Sequence, residues 1–372
     1  MQKIALCILV FCTLNYTYAQ KKKETKFSVL GYYAGDTIRI NNYPVEKLTH
    51  LIFCFGHLNG SRFYLNRHTD TVLIQKMVAL KQKNPALKVI LSLGGWGGCQ
   101  PCSDIFATDT GRVIFANSVK EYLDYFKADG IDLDWEYPSV EGFPGHHYLA
   151  ADKDNFVLLV KQLRMALGQQ KEISFAAGGT TVCLENSIDW KRTMPYVNRV
   201  NLMSYDLVSG FSKVSGHQTP LYSTPQQMES TDNGVKYLLS INVPASKIVI
   251  GAAFYARIFE VTDTVNGGLY RPCRFIAGVP YKNFDSTFII APGYTYRFDT
   301  VAKAPYYWNA QRKWIATFDD TTSIHLKTKY AYKKGLNGIM FWQLGEDKFS
   351  GGLLDVIDKI VTGYKLPVKS KQ

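Results

Sequence analysis

The chain has 372 residues and a formal net charge of +12. This length suits one large α/β barrel or two ordinary domains. Seven units of the net charge come from the two ends, at Lys3, residues 21–26 and residues 365–371. No zinc-finger, helix-turn-helix or RNA-binding motif accompanies them, so the basic composition gives no reason to expect a nucleic-acid partner.

Residues 1–19 have the pattern of a signal peptide. Lys3 precedes an apolar run at 4–14, and Thr17-Tyr18-Ala19 offers a small-x-small cleavage site. The apolar run is too short to span a membrane. We therefore expect a secreted protein, extracellular or periplasmic, with no membrane span. We also expect the basic tail at 364–372 to be disordered.

From residue 27 onward, short apolar runs alternate with longer helix-like patterns. Amphipathic helices are predicted near 71–83, 112–127 and 153–168. Eight successive strand–helix units predict an α/β fold, a (β/α)8 TIM barrel with its active site at the carboxyl ends of the strands. The eight predicted strands are 27–33, 48–55, 88–96, 129–138, 173–179, 199–206, 248–255 and 338–344.

The interval between the seventh and eighth runs is longer than one loop and one helix need. Residues 258–317 are rich in Gly, Tyr, Phe and β-branched types. This composition predicts a small α+β insertion domain between strands 7 and 8. The barrel would then be formed by residues 27–257 and 318–363.

The fourth run alternates acidic and large apolar side chains. A strand period of two puts Asp132, Asp134 and Glu136 on one face, opposite the apolar residues between them. Carboxyls two residues apart are separated by ~6.6 Å, where two charges repel by about 2.5 kcal/mol at an effective dielectric of ~20. That is about 2 pKa units, enough to keep one carboxyl protonated near neutral pH as a general acid. The alternative for such a strand is a Mg²⁺ or Ca²⁺ site with oxygen ligands.

Residues 129–136, Asp-Gly-Ile-Asp-Leu-Asp-Trp-Glu, resemble the Asp-x-x-Asp-x-Asp-x-Glu signature of glycoside hydrolase family 18, the chitinase family. The resemblance implies that Glu136 is the general acid, that Asp134 orients the substrate acetamido group and that Asp132 tunes the shared proton. It also implies that the enzyme uses neither a metal nor another cofactor. Ala128 departs from the family pattern, which often has a large apolar residue there.

Two later runs end in motifs that also resemble the family. Residues 203–206, Met-Ser-Tyr-Asp, are similar to its strand-six motif, which implies that Tyr205 and Asp206 act beside the acidic strand. Residues 254–257, Phe-Tyr-Ala-Arg, are similar to its strand-seven motif, although alanines at 253 and 256 replace the usual Pro and Gly. The substrate-binding residues that the resemblance implies are Tyr32, Phe53, Ser92, Trp96, Met203, Tyr255, Arg257 and Trp342.

The resemblance implies hydrolysis of β-1,4 bonds between N-acetylglucosamine units by substrate-assisted, retaining catalysis. The expected partners are chitin or N-acetylglucosamine oligosaccharides, and we expect a monomer. One alternative is an endo-β-N-acetylglucosaminidase acting on N-glycans or peptidoglycan. Another is a chitin-binding lectin of the same fold, although such lectins typically lack the glutamate that Glu136 provides here.

Five cysteines lie outside the predicted signal peptide, an odd number. Cys99 and Cys102 form a Cys-x-x-Cys pair just beyond the third predicted strand. This spacing also occurs in redox and zinc sites, but a single pair with no second pair or histidine cluster is weak evidence for zinc. In an exported protein we predict a small loop closed by a disulfide.

Overall fold

The computed structural model describes residues 27–365. The predicted signal peptide at 1–19 lies outside the described residues, as do residues 366–372 of the predicted basic tail. The strands are β1 (Ser28–Tyr33), β2 (His50–Asn59), β3 (Arg62–Tyr64), β4 (Lys88–Gly94), β5 (Gly130–Asp134), β6 (Glu172–Gly178), β7 (Arg199–Met203), β8 (Ile248–Ala253), β9 (Tyr255–Val261), β10 (Cys273–Pro280), β11 (Tyr294–Asp299), β12 (Ala304–Asn309), β13 (Trp314–Thr317) and β14 (Gly338–Trp342). The α-helices are α1 (His68–Ala79), α2 (Cys102–Phe106), α3 (Asp109–Phe126), α4 (Asp152–Leu167), α5 (Thr181–Asn186), α6 (Trp190–Thr193), α7 (Thr231–Ser240), α8 (Thr321–Lys333) and α9 (Leu353–Lys365).

Eight parallel strands close into a barrel. Their order is β1-β14-β8-β7-β6-β5-β4-β2, and β2 pairs back onto β1. Each of them overlaps one of the eight predicted runs, so the predicted TIM barrel is confirmed. In this ring β5 and β14 are four strands apart in either direction, so the strand ends that carry Glu136 and Trp342 face each other across the barrel.

Helix α3 delivers the chain into the acidic strand. The Thr108 hydroxyl accepts a hydrogen bond from the Gly111 amide at 3.0 Å and caps the start of the helix. The helix ends at Lys127, whose left-handed backbone (φ 60°) turns the chain toward β5. The Asp129 carboxylate then accepts from the Val89 amide at 2.7 Å, which ties the entry of β5 to the start of β4.

The apolar side chains of the barrel strands form two layers. Ile131, Leu133 and Trp135 lie in the outer layer, where Trp135 packs on Phe106 of α2 and Phe156 of α4. A smaller cluster fills the barrel interior, made of Leu30, Tyr32, Ile52, Cys54, Ile90, Ala176, Met203, Val249 and Met340. Since the apolar residues of β5 take the outer layer, its carboxyls must face the interior.

A second sheet of five antiparallel strands lies between barrel strands β8 and β14 in the sequence, with strand order β10-β9-β13-β12-β11. It begins at Tyr255, three residues before the predicted start of the insertion. Its helical part is short, with 3-10 turns at Val265–Gly268 and Tyr281–Asn283 and a π-helical turn at Asp285–Ile289. The apolar face of the sheet has its own cluster around Phe259, Trp308 and Ile315.

A buried ion pair joins the end of the insertion to the barrel. Lys327 Nζ on α8 lies 2.7 Å from Asp319 Oδ2, and both side chains are fully buried. The same carboxylate accepts from the Ala253 amide at 3.0 Å and from the hydroxyls of Thr219 and Ser323. Asp319 therefore connects the end of β8 with the segment that follows β13.

Among residues 27–365, no helix is long and apolar enough to cross a membrane. The last helix runs to Lys365, one residue past the predicted start of the tail.

We predict that Lys327→Met destabilises the protein by about 3–5 kcal/mol, because it leaves the Asp319 carboxylate buried without its counter-ion. The control is Lys120→Met on α3, whose partner Asp124 and own side chain are both about half exposed. An exposed pair of this kind contributes little, so the control should stay close to the parent. Denaturant unfolding, followed by circular dichroism, measures the free energy of unfolding of both variants. Equal unfolding midpoints for the two variants would contradict the prediction.

Candidate active site

The innermost carboxyl of β5 is saturated with hydrogen-bond donors. Asp132 is fully buried, and its Oδ2 accepts from the Tyr32 hydroxyl at 3.0 Å and from Ser92 Oγ at 2.9 Å. Its Oδ1 accepts from Ser174 Oγ at 2.6 Å and from Asn201 Nδ2 at 3.1 Å. Burial raises the pKa of Asp132, while these four hydrogen bonds oppose the rise.

This donor set bears on the alternative of a Mg²⁺ or Ca²⁺ site. Such a cation needs carboxylate oxygens with free lone pairs directed at it, but protein N–H and O–H groups are directed at both oxygens of Asp132. In the described part of the chain, no cluster of three or more His, Cys, Asp or Glu side chains has an arrangement that could hold a metal. The geometry of the strand therefore favours proton sharing over cation binding.

Asp134, the middle carboxyl, lies between two other acids. It is 3% exposed, and no protein group donates to its Oδ1. Burial is the main reason that its pKa lies well above the usual range, and the charges of Glu136 and Asp132 raise it further. A hydrogen bond between the Asp134 and Glu136 carboxyls affects both pKa values, and such a bond requires a proton on one of the two groups.

Glu136 lies two residues beyond the end of β5, in a left-handed backbone conformation with φ 47°. Burial raises the pKa of its carboxyl to about 7, with hydrogen bonds to Asp134 and Tyr137 opposing the shift and the charge of Asp206 adding to it. A carboxyl that titrates near pH 7 is suited to donate a proton at neutral pH. The sequence predicts a protonated carboxyl from repulsion along the strand, whereas burial is the main cause of the raised pKa values in the folded site.

The backbone at this strand end requires two glycines. A Cβ on Gly94, which has φ +103°, would lie 2.2 Å from the Asp134 carbonyl oxygen. A Cβ on Gly142 would lie 2.0 Å from the Glu136 carbonyl oxygen. The end of β4 and the loop that contains Gly142 therefore pack directly against the backbone of the acidic motif and fix the direction of its side chains.

An aromatic floor lies across the barrel from Glu136. The half-buried Trp342 ring stacks on Phe55 with ring centroids 5.6 Å apart and planes 12° apart, and it lies 6.0 Å from the Tyr32 ring. A flat aromatic surface beside buried carboxyls is suited to bind the apolar face of a sugar ring.

The prediction that Phe53 lines the barrel mouth is wrong. Its ring is fully buried in the outer layer, between the strands and the helices. Ile52 and Cys54 face the barrel interior, so the alternation turns Phe53 outward, and the register shift between Phe53 and Gly56 ends that alternation. Phe55 takes the position at the mouth instead.

Tyr205, Tyr255, Asp206 and Arg257 form a third side of the site. The Tyr205 and Tyr255 rings meet edge to face at 6.3 Å, and the Tyr205 hydroxyl lies 3.9 Å from Met340 Sδ. Arg257 donates from Nε and Nη2 to the two carboxylate oxygens of Asp206 at 2.6 and 2.5 Å. This bidentate ion pair uses both carboxylate oxygens of Asp206 and orients the Arg257 guanidinium. The Cζ atom of Arg257 lies over the Tyr255 ring, 5.2 Å from its centroid.

The remaining predicted residues lie at different depths. Met203 belongs to the cluster inside the barrel, directly below the site. Trp96 is 47% exposed at the rim, where its ring contacts Phe143 at 5.6 Å and Phe211 at 5.8 Å. Cys99 and Cys102 are joined by a disulfide three residues after Trp96, with their Cα atoms 5.2 Å apart.

Sequence reasoning missed several residues of the site. Ser174 and Asn201 each lie between two large apolar residues of a strand, a signal that could have indicated an inward-facing group. Phe143 and Phe211 lie in loops, where no periodicity distinguishes a rim aromatic from any other.

Comparisons with known proteins give one consistent family. The sequence model described as Glycosyl hydrolases family 18 matches residues 28–347. Chitinase A1 of Niallia circulans is 33% identical over 299 residues, which cover 74% of this chain and 43% of that protein. Chitotriosidase-1 of Mus musculus is 30% identical over 322 residues, which cover 82% of this chain and 68% of that protein. The chain thus spans less than half the length of the first of these relatives.

One solved structure is similar over nearly its whole length. A glycoside hydrolase family 18 N-acetylglucosaminidase from Paenibacillus barengoltzii superposes with a TM-score of 0.81 at 31% sequence identity. The match covers 90% of this chain and 99% of that one.

We predict that the double variant Cys99→Ser/Cys102→Ser loses modest stability, about 2 kcal/mol or less, because the loop closed by the disulfide is short. The rim near Trp96 should become less ordered, so KM should rise while kcat changes little. Cys273→Ser, which removes a half-buried free thiol of the insertion, is the control. Calorimetry and steady-state kinetics measure these effects, and a double variant with the KM of the parent would argue against a role for the disulfide at the rim.

Proposed function

The chain belongs to glycosyl hydrolases family 18, and on this basis we propose that it is a chitinase that hydrolyses β-1,4 bonds between N-acetylglucosamine units. The family match spans residues 28–347, and two relatives at or above 30% identity are a chitinase and a chitotriosidase. The observation that carries the proposal is the buried carboxyl pair of Asp134 and Glu136 at the mouth of the barrel, whose pKa values burial raises.

The carboxylates of the site support substrate-assisted catalysis. Most retaining glycosidases use a second carboxylate as nucleophile. Here Asp134 shares a proton with Glu136, and both oxygens of Asp206 accept from Arg257. Neither the Asp134 nor the Asp206 carboxylate is free to attack an anomeric carbon, so the acetamido oxygen of the substrate acts as the nucleophile.

In the first step, Glu136 gives its proton to the glycosidic oxygen, and the bond from that oxygen to the anomeric carbon breaks. The acetamido carbonyl oxygen of the same sugar forms a bond to the anomeric carbon, which gives an oxazolinium ion. Asp134 has an unpartnered oxygen, Oδ1, and accepts the N–H of the acetamido group as positive charge develops there.

In the second step, the Glu136 carboxylate takes a proton from a water molecule that attacks the anomeric carbon and opens the oxazolinium ring. Two displacements at the same carbon retain its configuration. Trp342 and Phe55 support the reacting sugar, and the Tyr205 hydroxyl steadies its acetamido group. A sugar without a 2-acetamido group cannot react in this way, so the mechanism itself selects N-acetylglucosamine.

The second candidate is an endo-β-N-acetylglucosaminidase that acts on N-glycans or peptidoglycan. The similarity to a solved N-acetylglucosaminidase of the same family supports this second candidate. The insertion, which walls one side of the site, favours a deep groove for a linear polymer instead. Product analysis on chitin oligomers and on a high-mannose glycopeptide separates the two candidates, since a chitinase cleaves only the former.

We also infer that the protein is exported and acts as a monomer. Export is supported by the signal pattern at residues 1–19. Every site residue named above lies in the barrel or the insertion of this one chain, so no second subunit is needed to complete the site. N-terminal sequencing of exported material and light scattering test these two inferences.

We predict that Glu136→Gln lowers kcat on chitin oligomers by about 10³-fold or more, because the amide keeps the shape of the side chain but has no acidic proton. Binding of the oligomers should remain close to that of the parent. The control is Glu121→Gln, an exposed carboxyl on α3 paired with Arg62, which should leave kcat unchanged. Calorimetric titration and product assays measure both quantities, and a Glu136→Gln variant within tenfold of the parent would exclude Glu136 as the acid.

We predict that kcat/KM of the parent falls as the pH rises above about 7, because the pKa of Glu136 is raised to about 7 and only its protonated form can donate. Below that pH the acid stays protonated, so this group causes no loss on the acid side. A pH series with a soluble fluorogenic oligosaccharide measures the basic limb. A rate that stays level up to pH 9 would show that Glu136 does not titrate as the structure requires.

A further inference from the structure

Glu346 lies at the mouth of the barrel and has no role in the mechanism above. It ends the 3-10 turn Leu344–Glu346, four residues after Trp342. Two contacts fix this turn. Lys282 Nζ of the insertion donates to the Gly345 carbonyl oxygen at 2.7 Å, and the Ala34 amide after β1 donates to Gln343 Oε1 at 3.0 Å.

The Glu346 carboxyl is largely buried among charged groups of the site. No protein group donates to its Oε2, which is shielded from solvent. Burial raises the pKa of Glu346 to about 7, the cations Lys282 and Arg257 oppose that shift, and Asp206 adds to it. An unpartnered buried oxygen is unfavourable in the free protein, so a ligand that supplies a donor gains from meeting it.

The barrel topology indicates which part of a substrate could supply that donor. Glu136, which meets the bond to be cleaved, follows β5, and Trp342 ends β14 on the opposite side of the ring. The reacting sugar therefore lies between them, on the Trp342 floor. Glu346 follows Trp342 in the chain and lies near Lys282 and Arg257 of the insertion, so we place it beyond that sugar, on the side away from the cleaved bond.

We propose that Glu346 is a specificity-determining residue that binds the second sugar on the non-reducing side of the cleaved bond. Its Oε2 accepts a hydrogen bond from that sugar, supplied by a hydroxyl group or by the 2-ammonium group of a deacetylated unit. Lys282 and Gln343 are positioning residues, because each holds the turn rather than the ligand. The proposal rests on the proposed function, since it presumes an N-acetylglucosamine oligomer in the groove.

The experiment compares Glu346→Leu and Glu346→Gln with the parent on 4-methylumbelliferyl glycosides of one and of two N-acetylglucosamine units. Glu346→Leu cannot accept a hydrogen bond, so its kcat/KM on the two-sugar glycoside should fall about tenfold, mainly through KM. Glu346→Gln keeps an acceptor oxygen and should retain most of the parent value. The one-sugar glycoside does not reach past Trp342, so its rate should be unchanged in both variants.

The matched control is Glu260→Gln, a carboxyl of the insertion that pairs with the exposed Arg274. It should behave as the parent on both glycosides. A two-sugar glycoside whose distal unit is deacetylated distinguishes the two donors. If the ammonium is the better donor, the parent prefers this substrate and Glu346→Gln loses the preference.

Two outcomes would overturn the proposal. One is a Glu346→Leu variant with the parent kcat/KM on the two-sugar glycoside. The other is a loss that is equal on both glycosides, or that Glu346→Gln shares in full, since that indicates a structural role for the carboxylate. A parent that cleaves neither glycoside nor chitin oligomers would instead count against the proposed function, so the two failures are distinguishable.

Discussion

The burial of three carboxyls on one strand is the constraint on which this site depends. Water would normally stabilise Asp132, Asp134 and Glu136, but the barrel interior excludes it. The structure offsets the free-energy cost of burying these carboxyls in two ways. Asp132 receives four hydrogen bonds, and the outer pair shares a proton. The protein donors are therefore concentrated at the innermost carboxyl, and the outer carboxyl pair lies where a substrate would enter.

The neighbouring strands and loops maintain this arrangement of hydrogen-bond donors around the carboxyls. Ser92 and Ser174 lie beside Asp132 in the register of the neighbouring strands, so the sheet itself aligns donors with the acceptor. Close backbone contacts at Gly94 and Gly142 prevent the strand end from relaxing outward. The outer face of the same strand is anchored by Trp135 among the helices. The chemistry of one face is thus supported by apolar packing on the other.

The sequence predicted those features that recur with a period. Alternation in residues 131–136 predicted which side chains face inward, and eight spaced apolar runs predicted the barrel. Features set by interruptions of a period were not predictable in the same way. The register shift that follows Phe53 in β2 brings Phe55 to the mouth. Glu346 follows a strand in a short turn, and its burial depends on an insertion distant in sequence, so nothing local distinguishes it from a surface glutamate.

The insertion leaves the barrel and rejoins it at a single place. Its first strand, β9, pairs with its last, β13, so that Arg257 lies opposite Thr317. The entropy of closing a loop rises only slowly with its length, so a unit attached at adjacent strands can grow or shrink with little effect on the ring of eight. Its first strand nevertheless carries Arg257, which donates to both carboxylate oxygens of Asp206 in the site. During evolution the insertion can therefore change in size and alter the depth of the groove. Its first strand cannot change as freely, because it must keep Arg257 in contact with Asp206 of the barrel.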